Sequence, residues 1–167
     1  MDKKLLESLY YKYYKEIVLY LYSLSRSREL AEDLAQETFL KAILSLPKKQ
    51  SNLRAWLYAV ARNLFYNDYK KQKRVTYMDE LPESADPQQG DLLSEILRGE
   101  RDRLLYDAML QLDVRKREIL MMHYFSGMPM KEIAAVLKLT TENVKVLACR
   151  GKREIRNYME AHGYDIS

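Results

Sequence analysis

"MKEIAAVLKLTTENVKVLACRGKREI", Met130 to Ile155, has the spacing of two short helices joined by a tight turn. A small residue, Ala134, stands where two helices must approach closely, and Lys138 falls in the turn that follows. Val144 locks the second helix onto the first, and Ile133, Leu137, Leu139, Leu147 and Ala148 can complete a small core. Thr140 or Thr141 caps the second helix. A left-handed turn at Lys138 would cost a non-glycine residue about 1 kcal/mol, which a packed site absorbs. This is the pattern of a helix-turn-helix. Its second helix would turn its first exposed residues to base edges in a major groove, with basic residues behind for phosphates. The residues so placed are Thr140, Thr141, Asn143, Lys145, Val146, Cys149, Arg150 and Arg153. An ordinary helical hairpin with a solvated basic face is the competing reading.

Outward from this motif, the remaining chain is helical in pattern too. Only 5 glycines and 4 prolines occur in 167 residues, and alternation of apolar and polar residues is scarce, so the expected fold class is all-α. Leu5, Leu6, Leu9, Tyr13, Ile17, Tyr20, Leu21 and Leu24 recur at steps of three and four, giving one long amphipathic helix. Ser27 can cap a second, with Leu30, Leu34, Phe39, Leu40 and Ile43 on its buried side, and Pro47 ends it. Ser51 or Asn52 can cap a third, whose apolar stripe is Leu53, Trp56, Leu57, Val60, Ala61 and Leu64. Three such helices make a small bundle. Tyr77 to Gly90, with Pro82, Pro87 and Gly90, reads as a linker. Helical periodicity returns near Leu92 and runs to Leu112, followed by Val114–Tyr124, Met130–Leu137 and Thr141–Met159.

Charge is segregated along the chain. Between Ser51 and Val75 stand Arg54, Arg62, Lys70, Lys71, Lys73 and Arg74 against Asp68 alone. Between Tyr77 and Asp102, Asp79, Glu80, Glu83, Asp86, Asp91, Glu95, Glu100 and Asp102 face only Arg98 and Arg101. Between Asn143 and Arg156 the balance is basic again. Two polyanion-binding surfaces joined by an acidic tether is the natural reading.

The first basic segment, "ARNLFYNDYKKQKR" (Ala61–Arg74), mixes cations with three exposed-looking aromatics and two asparagines. Arg62, Tyr66, Tyr69, Lys70 and Lys73 follow at helical spacing opposite the Trp56 stripe, with Asn63 and Asn67 beside them. A duplex backbone asks only for cations. Bases taken out of the stack also ask for flat rings and for amides that can pair with base edges. The segment therefore reads as a surface for single-stranded nucleic acid. The plainer alternative is that Tyr66 and Tyr69 pack against the tyrosine-rich first helix. Upstream, in "AEDLAQETFLKA", Glu32, Asp33, Gln36 and Glu37 cluster opposite Leu34 and Phe39. Such a face suits a basic protein partner, or else is simply solvated.

Enzyme chemistry has no foothold in this sequence. His123 and His162 are isolated, no carboxylate pair or metal-ligand spacing stands out, and no glycine loop could cradle phosphate. No catalytic residue, metal or cofactor is expected, and His123 reads as a structural residue at a helix end. Cys149 is the one cysteine, no signal peptide or membrane span is evident, and a cytoplasmic location without membrane insertion is expected.

In this order, "AEDLAQETF" (Ala31–Phe39), "WLYAVARN" (Trp56–Asn63) and "REILMMHYFSGMPMKEIAAVL" (Arg117–Leu137) resemble the extracytoplasmic-function (ECF) group of bacterial RNA polymerase sigma factors over nearly the whole chain. The resemblance implies a non-catalytic initiation subunit with two helical domains. Region 2 would span 1–76, a linker 77–100, and region 4 101–163. The helix bearing Glu32, Asp33, Gln36 and Glu37 would dock on the clamp of the largest core subunit. Asn63, Tyr66, Asn67 and the basic residues around them (Arg62, Lys70, Lys73, Arg74) would bind the melted −10 element, with the loop from Lys48 to Asn52 cradling a flipped base. The linker would thread toward the RNA exit path. The recognition helix would read −35 duplex, and the helices before it would touch the polymerase flap. An anti-sigma factor is an expected partner. Four positions differ from the family pattern: Val146 and Leu147 replace polar residues, Asp113 a proline and Lys138 a glycine. The alternative function is a helix-turn-helix regulator acting without core polymerase. It leaves the first 75 or so residues without a role.

Overall fold

The computed structural model describes residues 3–45, 52–75 and 89–164. Every element among the described residues is helical, and the chain divides into two units, Met1–Leu92 and Leu93–Ser167.

In the first unit, α1 (Lys3–Ser25), α2 (Arg28–Ser45) and α3 (Leu53–Val75) pack against one another. The turn between α1 and α2 is short. Arg26 takes the left-handed conformation (φ 58°) and donates its N–H to the Tyr22 carbonyl at 2.8 Å. Ser27 then caps α2, its Oγ accepting the Leu30 N–H at 3.2 Å. Asn52 caps α3, its Oδ1 accepting the Ala55 N–H at 3.0 Å, while Ser51 and Pro47 lie outside the described residues.

Burial corrects the amphipathic reading in three places. The second half of α1, Ile17 through Ser25, is buried on every side rather than along one stripe. Leu40 and Ile43, expected on the buried side of α2, are exposed (53% and 43%), as is Leu44 (76%), whereas Leu34 and Phe39 are buried as expected. On α3 the buried line is Leu57, Tyr58, Ala61 and Phe65, while Leu53, Trp56, Val60 and Leu64 are only half-buried. Tyr58 meets Tyr20 of α1 edge-to-face, ring centroids 5.2 Å apart. Tyr58 and Phe65 present large apolar bodies, and these outcompete smaller aliphatic neighbours for the core.

A helix α4 (Gln89–Ile96) spans the division between the units. The continuous helix expected from Leu92 to Leu112 breaks here, because Gly99 turns left-handed (φ 82°) and starts α5 (Gly99–Leu110). Apolar spacing carries through a glycine, so periodicity alone does not register the break.

In the second unit, α5 is followed by α6 (Val114–Tyr124), α7 (Met130–Leu137) and α8 (Thr141–Ala161), with α8 packed on α5, α6 and α7. Asp113 caps α6, its Oδ1 accepting the Lys116 N–H at 3.0 Å, so aspartate does by hydrogen bond what a proline does by fixed geometry. Arg117, buried, donates to the carbonyls of Met109, Leu110 and Leu112 at 3.3, 3.3 and 3.1 Å, closing the C-terminal end of α5. Gly127 (φ 64°) turns the chain between α6 and α7.

Candidate functional site

The helix-turn-helix forms as read. Lys138 ends α7 in the left-handed conformation (φ 59°, ψ 44°), its N–H bonded to Ala134 O. Thr140, rather than Thr141, is the cap of α8, its Oγ1 accepting the Asn143 N–H at 3.1 Å. Ile133, Ala134, Leu137, Val144 and Ala148 are buried, and Leu139 and Leu147 half-buried. Gly151 lets α8 lie close on α6. A Cβ there would stand 2.6 Å from Leu120 Cδ1.

That packing sorts α8 into two sides. Val144, Ala148, Gly151, Ile155 and Met159 face inward. At 100° per residue the opposite stripe is Glu142, Val146, Cys149, Arg150 and Arg153, all exposed, with exposed Lys145 at its flank. Asn143 is exposed beside this stripe, and Thr140 and Thr141 stand at its N-terminal end, exposed and half-buried respectively. The eight residues expected at the groove are thus gathered on one accessible surface. Glu142 joins them, an acidic group just outside the basic segment from Asn143 to Arg156.

At the end of α3 the arrangement differs from expectation in one respect. Phe65 is 5% exposed and belongs to the core, so two aromatics rather than three reach the surface. The outward line, opposite Leu57, Ala61 and Phe65, is Asn63, Asn67 and Lys70. The amides are therefore central. Half-buried Arg62 and Tyr66, and exposed Tyr69 and Lys73, stand at the flank. The Arg62 guanidinium lies 4.7 Å over the Tyr66 ring, and Phe65 stacks against Tyr69 with centroids 6.2 Å apart. Each tyrosine thus has a packing partner on its own helix. Asn52 is half-buried and commits its side-chain oxygen to the α3 cap. Lys48 lies outside the described residues, and the Arg74 side chain is likewise not described.

On α2, Asp33, Gln36 and Glu37 are exposed on one side, opposite buried Leu34, Thr38 and Ala42. Glu32, half-buried, pairs with Arg28 one turn earlier. The same outward side continues C-terminally through Leu40, Ile43 and Leu44. Leu40, Ile43, Phe39 and Gln36 line one wall of a groove whose other wall is Leu6, Glu7, Tyr10 and Tyr11 of α1. Tyr10 stacks on Tyr14 at 4.5 Å and meets the Phe39 edge at 5.4 Å, and burial raises the Tyr14 phenol pKa. Sequence reading missed this groove because an exposed leucine at helical spacing carries the same signal as a buried one.

His123 is half-buried at the end of α6, edge-on to Tyr124 at 5.1 Å. Burial, and then the Lys152 ammonium, lower its pKa and keep it neutral at physiological pH. Among the described residues no His, Cys, Asp and Glu side chains group as metal ligands, and no helix is long and apolar enough to cross a membrane.

Comparison with known proteins divides along the same lines. The family model for sigma-70 region 2 matches residues 9–75, and that for sigma-70 region 4 matches 102–155. The ECF RNA polymerase sigma factor EcfG of Rhodopseudomonas palustris is 31% identical over 149 residues, covering 84% of this chain and 77% of its own. The RNA polymerase sigma factor YlaC of Bacillus subtilis is 29% identical over 161 residues, 92% of this chain and 91% of its own. Among solved structures, the sigma factor RpoE from Bartonella quintana, crystallised with the anti-sigma factor NepR, superposes with a TM-score of 0.76 at 22% identity, covering 95% of this chain and 98% of that one. CnrH, solved with the cytosolic domain of CnrY, gives 0.68 at 18% identity over 96% and 90%.

Proposed function

The chain belongs to the ECF group of RNA polymerase sigma factors, and from that premise we propose how its surfaces divide the work. As a sigma factor it binds core RNA polymerase and directs it to promoters. A regulator acting without core polymerase is not favoured, since the match to region 2 gives residues 9–75 the role that such a regulator leaves empty.

Residues 1–76 act as the core-docking and −10 domain, 77–100 as a tether, and 101–163 as the −35 domain. Docking on the largest-subunit clamp runs through Asp33, Gln36 and Glu37, with Glu32 behind them. The apolar groove of Leu40, Ile43, Tyr10 and Tyr11 extends the same surface. Asn63 and Asn67 pair with splayed bases of the −10 element, Tyr66 and Tyr69 stack on them, and Arg62, Lys70, Lys73 and Arg74 follow the backbone, with Lys48 and Asn52 at the neighbouring loop. The outward stripe of α8 reads the −35 duplex, and the helices before it meet the polymerase flap. An anti-sigma factor is the partner that holds the chain inactive, by covering the surface that core polymerase needs.

One observation carries the docking assignment. Asp33, Gln36 and Glu37 stand exposed together on a helix whose other side is sealed into the unit, and of the three Gln36 also hydrogen-bonds Tyr14 of α1. Size-exclusion chromatography with core polymerase tests it. Wild type should co-elute and Asp33→Arg should not, with unchanged circular dichroism. Co-elution of the variant would remove α2 from the docking surface.

A further inference from the structure

The outward stripe of α8 has an unusual centre. Its ends and flank carry Glu142, Lys145, Arg150 and Arg153, all able to hydrogen-bond strongly. Between them sit Val146, 48% exposed, and Cys149, one turn on and also exposed. Valine offers no donor or acceptor, and a thiol only weak ones. The inward stripe is already filled, by Val144, Ala148 and Gly151, so these two side chains are not core. In a major groove the first turns of a recognition helix, where Val146 and Cys149 stand, come nearest the base edges, and each base-pair edge there displays hydrogen-bonding groups. Facing valine, such groups lose water and gain nothing, at a cost that selects against them. One major-groove feature is apolar, the C5-methyl of thymine.

On the reading that α8 enters the −35 major groove, we infer that Val146 and Cys149 form an apolar head that reads thymine methyl groups there. Lys145, Arg150 and Arg153 commit this face to a polyanion, and the apolar head selects the base within it. Specificity at these base pairs then comes from hydrophobic contact. Hydrogen-bonding readout is left to the flanking residues.

Replacing thymine by deoxyuridine removes the methyl and leaves every hydrogen-bonding group in place, which makes it the direct test. Holoenzyme reconstituted with the full chain selects its preferred −35 element from promoter duplexes randomised across that region. Each thymine of the selected element is then replaced singly by deoxyuridine. The expected result is one or two positions at which binding weakens about fourfold, the worth of one buried methyl. In holoenzyme carrying Val146→Ala or Cys149→Ser, thymine and deoxyuridine should bind alike at the corresponding position. Selection of a clear element with no deoxyuridine effect overturns the inference and leaves α8 as the −35 reader. An unchanged thymine preference in both variants overturns it equally. Failure to select any −35 sequence overturns the inference together with the reading of α8 on which it rests.

Discussion

Removing the Arg117 guanidinium should loosen the corner between α5 and α6, and a size for the effect follows from three hydrogen bonds that it donates to carbonyls. Met109 O also accepts the Leu112 N–H at 3.1 Å, so it keeps a partner when Arg117 is truncated. The carbonyls of Leu110 and Leu112 lose the donor that closes them. An unsatisfied buried carbonyl costs about 1–3 kcal/mol. The bonds are 3.3 and 3.1 Å long, beyond the optimum of about 2.9 Å, which favours the lower half of that range. Arg117→Ala should therefore cost about 2–4 kcal/mol, a fall in Tm of roughly 10 °C or more for a unit of this size. The full chain can be melted by far-UV circular dichroism, with Trp56 fluorescence as an internal control. Trp56 is the sole tryptophan and lies in the first unit, so its transition should not move. Burying a guanidinium carries its own desolvation cost, and Arg117→Met measures it, keeping an apolar stem without charge or donors. If Arg117→Ala melts with wild type, the corner does not rest on the guanidinium and the hydrogen-bond reasoning is refuted. Arg117→Lys should fall between, since an ammonium cannot serve spread carbonyls as a planar fork does.

Three further outcomes are expected. Asp113→Ala should cost about 1 kcal/mol as a lost cap. The Lys116 N–H bond, with help from the Lys116 ammonium, holds the Asp113 carboxyl below the usual aspartate pKa. Its contribution is therefore complete above that range and drains away as pH falls through the folded value; in urea titrations the acid-side loss of stability should be shallower in Asp113→Asn. Lys138→Gly should stabilise the second unit by up to about 1 kcal/mol by relieving a left-handed non-glycine residue, read from the same melts. Tyr66→Ala combined with Asn67→Ala should leave closed-complex formation intact and weaken strand opening, each lost stacking contact costing about 1–3 kcal/mol. Normal permanganate reactivity of promoter thymines in that variant would separate Tyr66 from melting.

The second unit was the more legible in sequence. Ala134, Lys138, Val144 and the Thr140 cap fall where their spacing put them, because a tight turn between short helices leaves few other arrangements. In the first unit, the helices and the Ser27 and Asn52 caps were legible, but which side faced inward was not always so. Trp56 drew the expected stripe of α3 toward itself, while Tyr58 and Phe65, on nearly the opposite side, hold the core. A tyrosine is ambiguous to any hydropathy pattern, since one end of it is apolar and the other wet. Leu40 and Ile43 misled for a different reason: an exposed leucine at helical spacing looks, in one sequence, like a buried one. Gly99 and Arg117 act through backbone geometry and carbonyl capping, and neither leaves a periodic trace.

The outward side of α2 changes character along its length, carboxylates at Asp33 and Glu37 giving way to bare hydrocarbon at Leu40, Ile43 and Leu44. Charge is felt across about 8 Å at physiological ionic strength, and hydrocarbon only at contact. On the docking proposed for this side, arrival and departure fall to different turns of one helix. Salt should slow capture while barely altering residence time, and trimming Leu44 should shorten residence while sparing capture. A competitor in the cell then has two separate handles, screening the approach or displacing the grip, and the second works at any ionic strength.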